Sequence, residues 1–539
     1  MTNKFLLFVG LAGLLAGCMG NGFKSGGYNN AATSNPENVQ TSFMDSTSLY
    51  GSDDGGPRAD IAVLLPSSGV AKSHGNAIKT SIETAFLRKP KTNVKISFFD
   101  LSGDEQQRFD TITQALDTDP DVVIGPLFAE DARILRDIKP SILPVISFTS
   151  DTSSLGDGVM TVNLIPSQSI ETIIRQIPVN PDKGMIILSP NDKSGETMTY
   201  VADMAAKYYG IPVHGIFYYT PGQSDSIKDV AMRASLYNMR SAVNTRAREV
   251  LSDILTNEPL TPDVSDDLST QLEKISRTET LGDLPYDSIL FLGNGDDSKK
   301  LASFLRYYGV GNRDVNFYGT TLWHGSNIAS DFTMSGAKYA TLPEISTSFV
   351  SLYKFMTPND PDYLSAFGYD AANLALGMIY SPKSGPEYFF DPNGYIGANG
   401  VFRIQPTGES ERALRIMELD GSGTPKTIKG APNNFLVSPY NIHPSKIKYI
   451  SGYDIKTRGI NPGDYIEIPN ELRDKDTYKT KKIGVRDAVA QPEPSEKSST
   501  AVVPVQPVTD AEKVTNPEFQ PVKLENVSRQ YIDSVEIEE

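Results

Sequence analysis

"IAVLLPSSG", Ile61–Gly69, sets five apolar residues in a row and then halts them at a proline, two serines and a glycine. A continuous apolar run of this length reads as a strand covered on both faces, because a strand with one wet face would alternate. A Ser-Ser-Gly loop feeding a helix is also a common way for α/β proteins to meet a small ligand. The loop at Ser67 and Ser68 therefore raises the question of what it binds.

Outward from this stretch the same unit recurs. Gly75–Leu87 carries Ile78, Ile82 and Phe86 at helical spacing, and Val94–Phe99 is a strand ending in Asp100. A helix is expected over Gln106–Leu116, a strand at "DVVIG" (Asp121–Gly125), a helix over Asp131–Ile138 and a strand at "LPVISF" (Leu143–Phe148). A second series follows: strands at Lys183–Ser189, Val213–Tyr219, Ser288–Gly293 and Val315–Gly319, with helices through Met204–Tyr209 and over Ser298–Tyr308. Apolar strands alternating with helices imply doubly wound parallel sheets, so the fold class is α/β in two lobes with a cleft between them.

Ser226–Leu281 interrupts the second series. Leu236, Met239, Val243, Ala247, Val250 and Ile254 form one helical stripe, which predicts a long helical hairpin. Arg233, Arg240, Arg246 and Arg248 add positive charge to this insertion and are the candidate partner surface; a solvated hairpin capping the lobe is the alternative.

The 539 residues exceed what one core usually serves. A net charge of -16 leaves no basic excess to displace counterions from nucleic acid. The single cysteine, Cys18, excludes an intramolecular disulfide and any cysteine-based metal site. Lys4, the apolar run Phe5–Leu15 and the small residues before Cys18 match a secretory signal, since the run is too short to span a bilayer. Leu15-Ala16-Gly17-Cys18 resembles a bacterial lipobox, which implies cleavage after residue 17 and lipidation of Cys18; Met19 in place of aspartate implies the outer membrane, with the protein facing the periplasm. Residues 18–58, rich in Gly, Ser, Asn and Asp, are expected to be a flexible tether with a reach of about 35 Å. Residues 441–539 are expected to be a largely disordered acidic, Pro-rich tail, with Val522–Glu539 either a short acidic helix on a partner or a solvated end.

The order of "IAVLLPSSG", "VVIGPL", "LPVISFTSD" and "TVNLIPSQS" resembles the type I periplasmic binding proteins, the leucine-binding group in particular, over about Ala59–Phe435. "FYGTTLWHG" (Phe317–Gly325), "GYDAANLALGM" (Gly368–Met378), "GVFRIQPTGESERALRIMEL" (Gly400–Leu419) and "APNNF" (Ala431–Phe435) look like the lipid-anchored penicillin-binding protein activators of the LpoA type. The resemblance implies a domain over 59–440, with lobe one at 59–165 and 342–385, lobe two at 166–341 and 386–435, and the insertion at 226–281. It also implies three chain crossings and a cleft at the carboxyl ends of the strands. Candidate cleft residues are Ser67, Ser68, Phe128, Ala129, Thr149 and Ser150 from lobe one, and Asn191, Asp192, Tyr219, Asp296 and Trp323 from lobe two. Long members of the activator family carry a helical-repeat domain ahead of this fold, where here a tether is expected.

Amino-acid receptors of the fold hold the ligand carboxylate with a hydroxyl and free amides at the helix after the third strand. Here that position reads Leu127-Phe128-Ala129-Glu130-Asp131, and the two carboxylates are expected to satisfy the helix dipole and repel an anionic ligand. Ser194 stands where such receptors commonly place a tyrosine, while Thr149 is retained and Asp296 could face an ammonium. Catalytic signals are poor. His74, His214, His324 and His443 are scattered, and Ser351–Lys354, Ser445–Lys448 and Lys383–Gly385 only superficially match transpeptidase elements; Gly293-Asn294-Gly295 lacks a third glycine. The expected function is thus a non-enzymatic, lipid-anchored regulator of a peptidoglycan synthase, a bifunctional penicillin-binding protein, with no cofactor or metal. The alternative is an amino-acid-like solute receptor of an ABC importer.

Overall fold

The computed structural model describes residues 59–87, 93–381, 386–435 and 439–441. Cys18, the expected signal peptide and tether, His443, the Lys383–Gly385 element and the expected tail beyond residue 441 lie outside them.

Lobe one is built on a five-stranded parallel sheet in the order β2-β1-β3-β4-β5. Its strands are β1 (Ala59–Leu65), β2 (Val94–Asp100), β3 (Val122–Ile124), β4 (Val145–Ser147) and β5 (Val159–Thr161). Helices α1 (Lys72–Leu87), α2 (Glu105–Leu116) and α3 (Ala129–Ile138) connect the first four strands. Every residue of β1 except Asp60 is buried, which is why its sequence is apolar without alternation.

Lobe two carries a seven-stranded sheet in the order β15-β14-β10-β9-β8-β6-β7. The strands are β6 (Gly184–Pro190), β7 (Val213–Tyr219), β8 (Tyr286–Phe291), β9 (Asn316–Gly319), β10 (Lys338–Thr341), β14 (Arg415–Glu418) and β15 (Lys426–Lys429). The first five are parallel, and β14 and β15 add antiparallel at one edge. The lobe's helices are α4 (Pro166–Ile174), α5 (Lys193–Tyr208), α6 (Ser224–Ala234) and α9 (Gly295–Tyr307).

The helical hairpin comprises α7 (Tyr237–Asn257) and α8 (Pro262–Ser276). It is shorter than the interruption read from the sequence, because α6 packs on β7 and α9 as a regular crossover helix. The predicted stripe is its inner face: Val250, Leu251, Ile254 and Leu268 form a small core of their own. Asn244 locks the base, donating to the carbonyls of Ile275 and Thr278 at 3.1 and 3.3 Å.

After β10 the chain returns to lobe one as α10 (Thr347–Met356) and α11 (Tyr363–Tyr380), both packed on α1. Gly368 of α11 permits this close approach: a Cβ there would come within 3.0 Å of the Ile78 carbonyl oxygen. Residues 395–412, which the sequence reading assigns to lobe two, instead form an antiparallel sheet of β11 (Tyr395–Gly397), β12 (Gly400–Ile404) and β13 (Ser410–Arg412) against α11. Its β12–β13 turn meets the end of β5, where the Thr161 amide donates to the Gly408 carbonyl at 2.8 Å. The third crossing therefore falls between β13 and β14 and not near residue 385, because Phe402 and Ile404 of β12 are buried in the core that α11 shares.

Candidate functional site

The loop after β1 answers the question its sequence raises. The Ser67 amide donates to the Asp100 carboxylate at 2.8 Å, and the Ser68 amide to the Ser102 hydroxyl at 3.2 Å. Ser102 donates in turn to Asp100 at 2.5 Å. Burial alone would raise the Asp100 pKa, but hydrogen bonds from Ser102, Ser67 and Ser68 outweigh it and hold the carboxyl below its usual range. The loop thus hydrogen-bonds an exposed anion supplied by the strand beside it.

The next two loops of lobe one are partly engaged as well. Thr149 is buried, and its hydroxyl accepts from the Asp151 amide at 3.1 Å, while Ser150 is half-buried. Phe128 and Ala129 are half-buried at the start of α3, and no side chain caps that helix. The expected pair of repelling carboxylates is not realised. Asp131 is 1% exposed and turned inward to the Arg108 guanidinium at 2.7 Å, leaving Glu130 as the exposed acid. Desolvation at Asp131 raises its pKa against the lowering by Arg108.

On lobe two, Asn191 is exposed, and Asp192 caps α5 by accepting from the Gly195 amide at 2.7 Å. Asp296 is exposed but lies 2.9 Å from Lys299 on its own helix, so the acid expected to face an ammonium already has a cation. Tyr219 is 1% exposed, with its hydroxyl against Gly293, and burial pushes its pKa up. Trp323 is no cleft residue: it is 1% exposed in the lobe-two core between Phe291 and Tyr339, and its indole donates to Ser298 at 3.0 Å. Its bulk makes it a core residue first, and sequence position alone does not reveal which side of the strand end it enters.

The charged surface of the hairpin also differs from expectation. Arg240 is buried, and its guanidinium donates to the carbonyls of Gly282, Ser235 and Gly309. It closes the base of the insertion. Arg233 pairs with Asp229 at 2.8 Å, Arg246 with Glu249 at 3.5 Å, and Arg248 donates to the Thr278 carbonyl. These three keep partial exposure.

Two residues absent from the sequence-derived site organise the hinge. Arg412 on the third crossing donates to the Val162 carbonyl at the first crossing (2.7 Å), to Asn399 (2.9 Å) and to Asp370 of α11 (3.0 Å). Arg415, three residues on, donates to the Leu342 carbonyl at the second crossing (3.1 Å) and to Glu344 (3.1 Å). Both lie within the quoted Gly400–Leu419 segment; Arg415, between Leu414 and Ile416, carries the signal of an arginine in an apolar strand, while Arg412 follows Glu411 and carries none. Beside them His324 stacks on Tyr363, ring centres 4.8 Å apart.

Among the described residues no group of three or more His, Cys, Asp or Glu is placed to hold a metal, and no helix is long and apolar enough to cross a membrane.

Two α/β lobes joined by three crossings define the type I periplasmic binding protein fold. A branched-chain amino acid ABC transporter protein from Rhodospirillum rubrum matches with a TM-score of 0.51 at 15% identity, over 69% of this chain and 100% of that one. The C-domain of LpoA from Haemophilus influenzae, described as a regulator of PBP1A, matches at 0.44 and 15% identity over 69% of this chain and 100% of that one. Full-length LpoA from the same organism matches at 0.46 and 15% identity over 72% of this chain, which spans 60% of that longer protein. No protein-family model and no curated protein sequence matches the chain.

Proposed function

We propose that this protein is a lipid-anchored periplasmic regulator of a peptidoglycan synthase that acts by protein contact and catalyses no reaction itself. The observation that carries the reading is the Asp100 carboxylate held by the Ser67 loop. Together with the Asp296–Lys299 pair, it engages rim positions where a solute receptor needs open polar groups. Recognition then falls to the outside of the lobes. The sequence resemblance to the LpoA-type activators implies the class of partner, a bifunctional penicillin-binding protein, and the Haemophilus influenzae C-domain is described as a regulator of PBP1A.

The lipobox-like Leu15–Cys18 and Met19 place the anchor at the outer membrane in this reading. Arg246 and Arg248 on the hairpin and Arg233 on the neighbouring α6 are the contact candidates; Arg240 is withdrawn to the structural role its burial gives it. Regulation by contact requires only that the protein bind one state of the synthase more tightly than another; moving a 1:99 population to 99:1 takes about 5.5 kcal/mol of such preference. Crosslinking in membranes followed by pull-down of bifunctional penicillin-binding proteins tests the reading, and repeated recovery of none of them would remove its support.

One observation favours the alternative of a solute receptor: the start of α3 has no side-chain cap, and Asp131 is turned away to Arg108. Amides at such a terminus suit a carboxylate. A thermal-shift screen with amino acids, small peptides and muropeptides decides it, since a ligand at a hundredfold its dissociation constant adds about 2.7 kcal/mol.

A further inference from the structure

The chain returns to the hinge after β15. Phe435 is buried beneath the Arg403 guanidinium of β12, 5.1 Å from the ring centre, and so seats on lobe one. Tyr440, 4% exposed, donates its hydroxyl to the Arg412 carbonyl at the third crossing. The residues on either side of Tyr440 hold the other lobe. The Pro439 carbonyl accepts from Arg175 just after α4. The Asn441 amide donates to Glu171 of α4 at 2.8 Å, and its side chain to the Tyr209 hydroxyl after α5 at 3.0 Å. Glu171 is itself 2% exposed and also accepts from Tyr209.

The Arg412 side chain is held on lobe one by Asp370 and Asn399, between Phe367 and Phe402, while its amide donates to Gln168 of α4 at 3.0 Å. Glu171, Arg175 and Tyr209 move with lobe two, because α4 packs on α5, β9 and β10. We propose that Pro439–Asn441 is a latch that fixes the angle between the two lobes, with Tyr440 as its bolt. Tyr440 bonds Arg412 at the third crossing and Thr172 of α4, and both its neighbours are joined to lobe two. Rotation at the crossings changes backbone angles at a few residues there, and it must pull Tyr440 from Arg412 or its neighbours from α4.

The test is the interlobe distance by pulsed electron paramagnetic resonance in the full chain, with Cys18→Ser and spin labels at Gln114→Cys of α2 and Thr197→Cys of α5, both exposed positions. The parent is expected to give one narrow distribution. Tyr440→Ala is expected to broaden it or shift its centre by several Å, and Arg175→Ala, which removes only the bond to the Pro439 carbonyl, to broaden it less. Tyr440→Phe keeps the ring and loses the hydroxyl, and should fall between parent and Tyr440→Ala. Unchanged distributions in Arg175→Ala and Tyr440→Ala overturn the latch. If Tyr440→Ala does not fold, Arg175→Ala and Asn441→Ala decide by the same criterion.

Discussion

The Arg412 guanidinium lies 3.0 Å from the Asp370 carboxylate with both side chains 1% exposed, and the rings of Phe367 and Phe402 stand 4.3 and 4.5 Å from its centre. Burial opposes both charges, so each is tolerated only because the other, together with Asn399 and the Val162 carbonyl, satisfies it. Asp370→Asn or Arg412→Met alone is expected to cost about 3–5 kcal/mol, by leaving an uncompensated buried charge. The double variant Asp370→Asn/Arg412→Met should lose much less than the sum of the two. Urea denaturation of the four proteins checks this, and an additive result would mean that the pair does not act as a unit.

His324 predicts a pH dependence. Burial first, and the nearby Arg415 second, depress its pKa from 6.5 to about 4, against an opposing pull from Glu344. The unfolded chain then binds the proton more readily than the folded one between these values. Stability is full above pH 6.5 and falls as the pH drops toward 4, by up to roughly 3 kcal/mol. Thermal melts across this range should show that slope, and His324→Gln should flatten it; an equal slope in the variant would assign it to other groups.

Trp323 is the only tryptophan, which makes it a reporter for lobe two. A Cβ at Gly319 would stand 2.3 Å from its indole, so Gly319→Ala must displace the ring or the strand and is expected to cost about 1–3 kcal/mol. The change should appear as a red-shifted native emission spectrum together with a lower unfolding midpoint. Ser298→Ala removes the hydroxyl the indole donates to, and about 1 kcal/mol is the expected loss.

The Asp100 carboxylate contributes through the amides and hydroxyls around it. Its pKa lies below the usual carboxylate value, so its contribution is present above that value and lost as the pH falls through the folded-state pKa. Asp100→Ala is expected to cost about 1 kcal/mol and to speed amide hydrogen exchange at Ser67 and Ser68. Exchange as slow as in the parent would show that the loop does not depend on this anion.

Much of the architecture was legible because it rests on patterns local to the chain. The apolar runs at Ile61–Leu65 and Gly184–Pro190 are continuous because helices cover both faces of their sheets. The stripe from Leu236 to Ile254 names the inner face of the hairpin because a helix repeats every 3.6 residues. The functional rim was less legible. Ser67 and Ser68 follow β1 in an exposed loop, but their partner Asp100 lies 33 residues from Ser67, and no spacing rule connects them.

What the sequence determined by itself is the two-lobed α/β body and its hairpin, since burial of one helical stripe or one strand is dictated by neighbours a few residues apart. Tertiary structure alone decided that Trp323 enters the core, that Arg240 closes the insertion, that 395–412 joins lobe one, and that Arg412 and Tyr440 meet at the hinge. Those outcomes depend on partners as far apart as Val162 and Arg412, 250 residues along the chain. A polar group's role is fixed by which buried donors and acceptors the folded chain brings within about 3 Å of it.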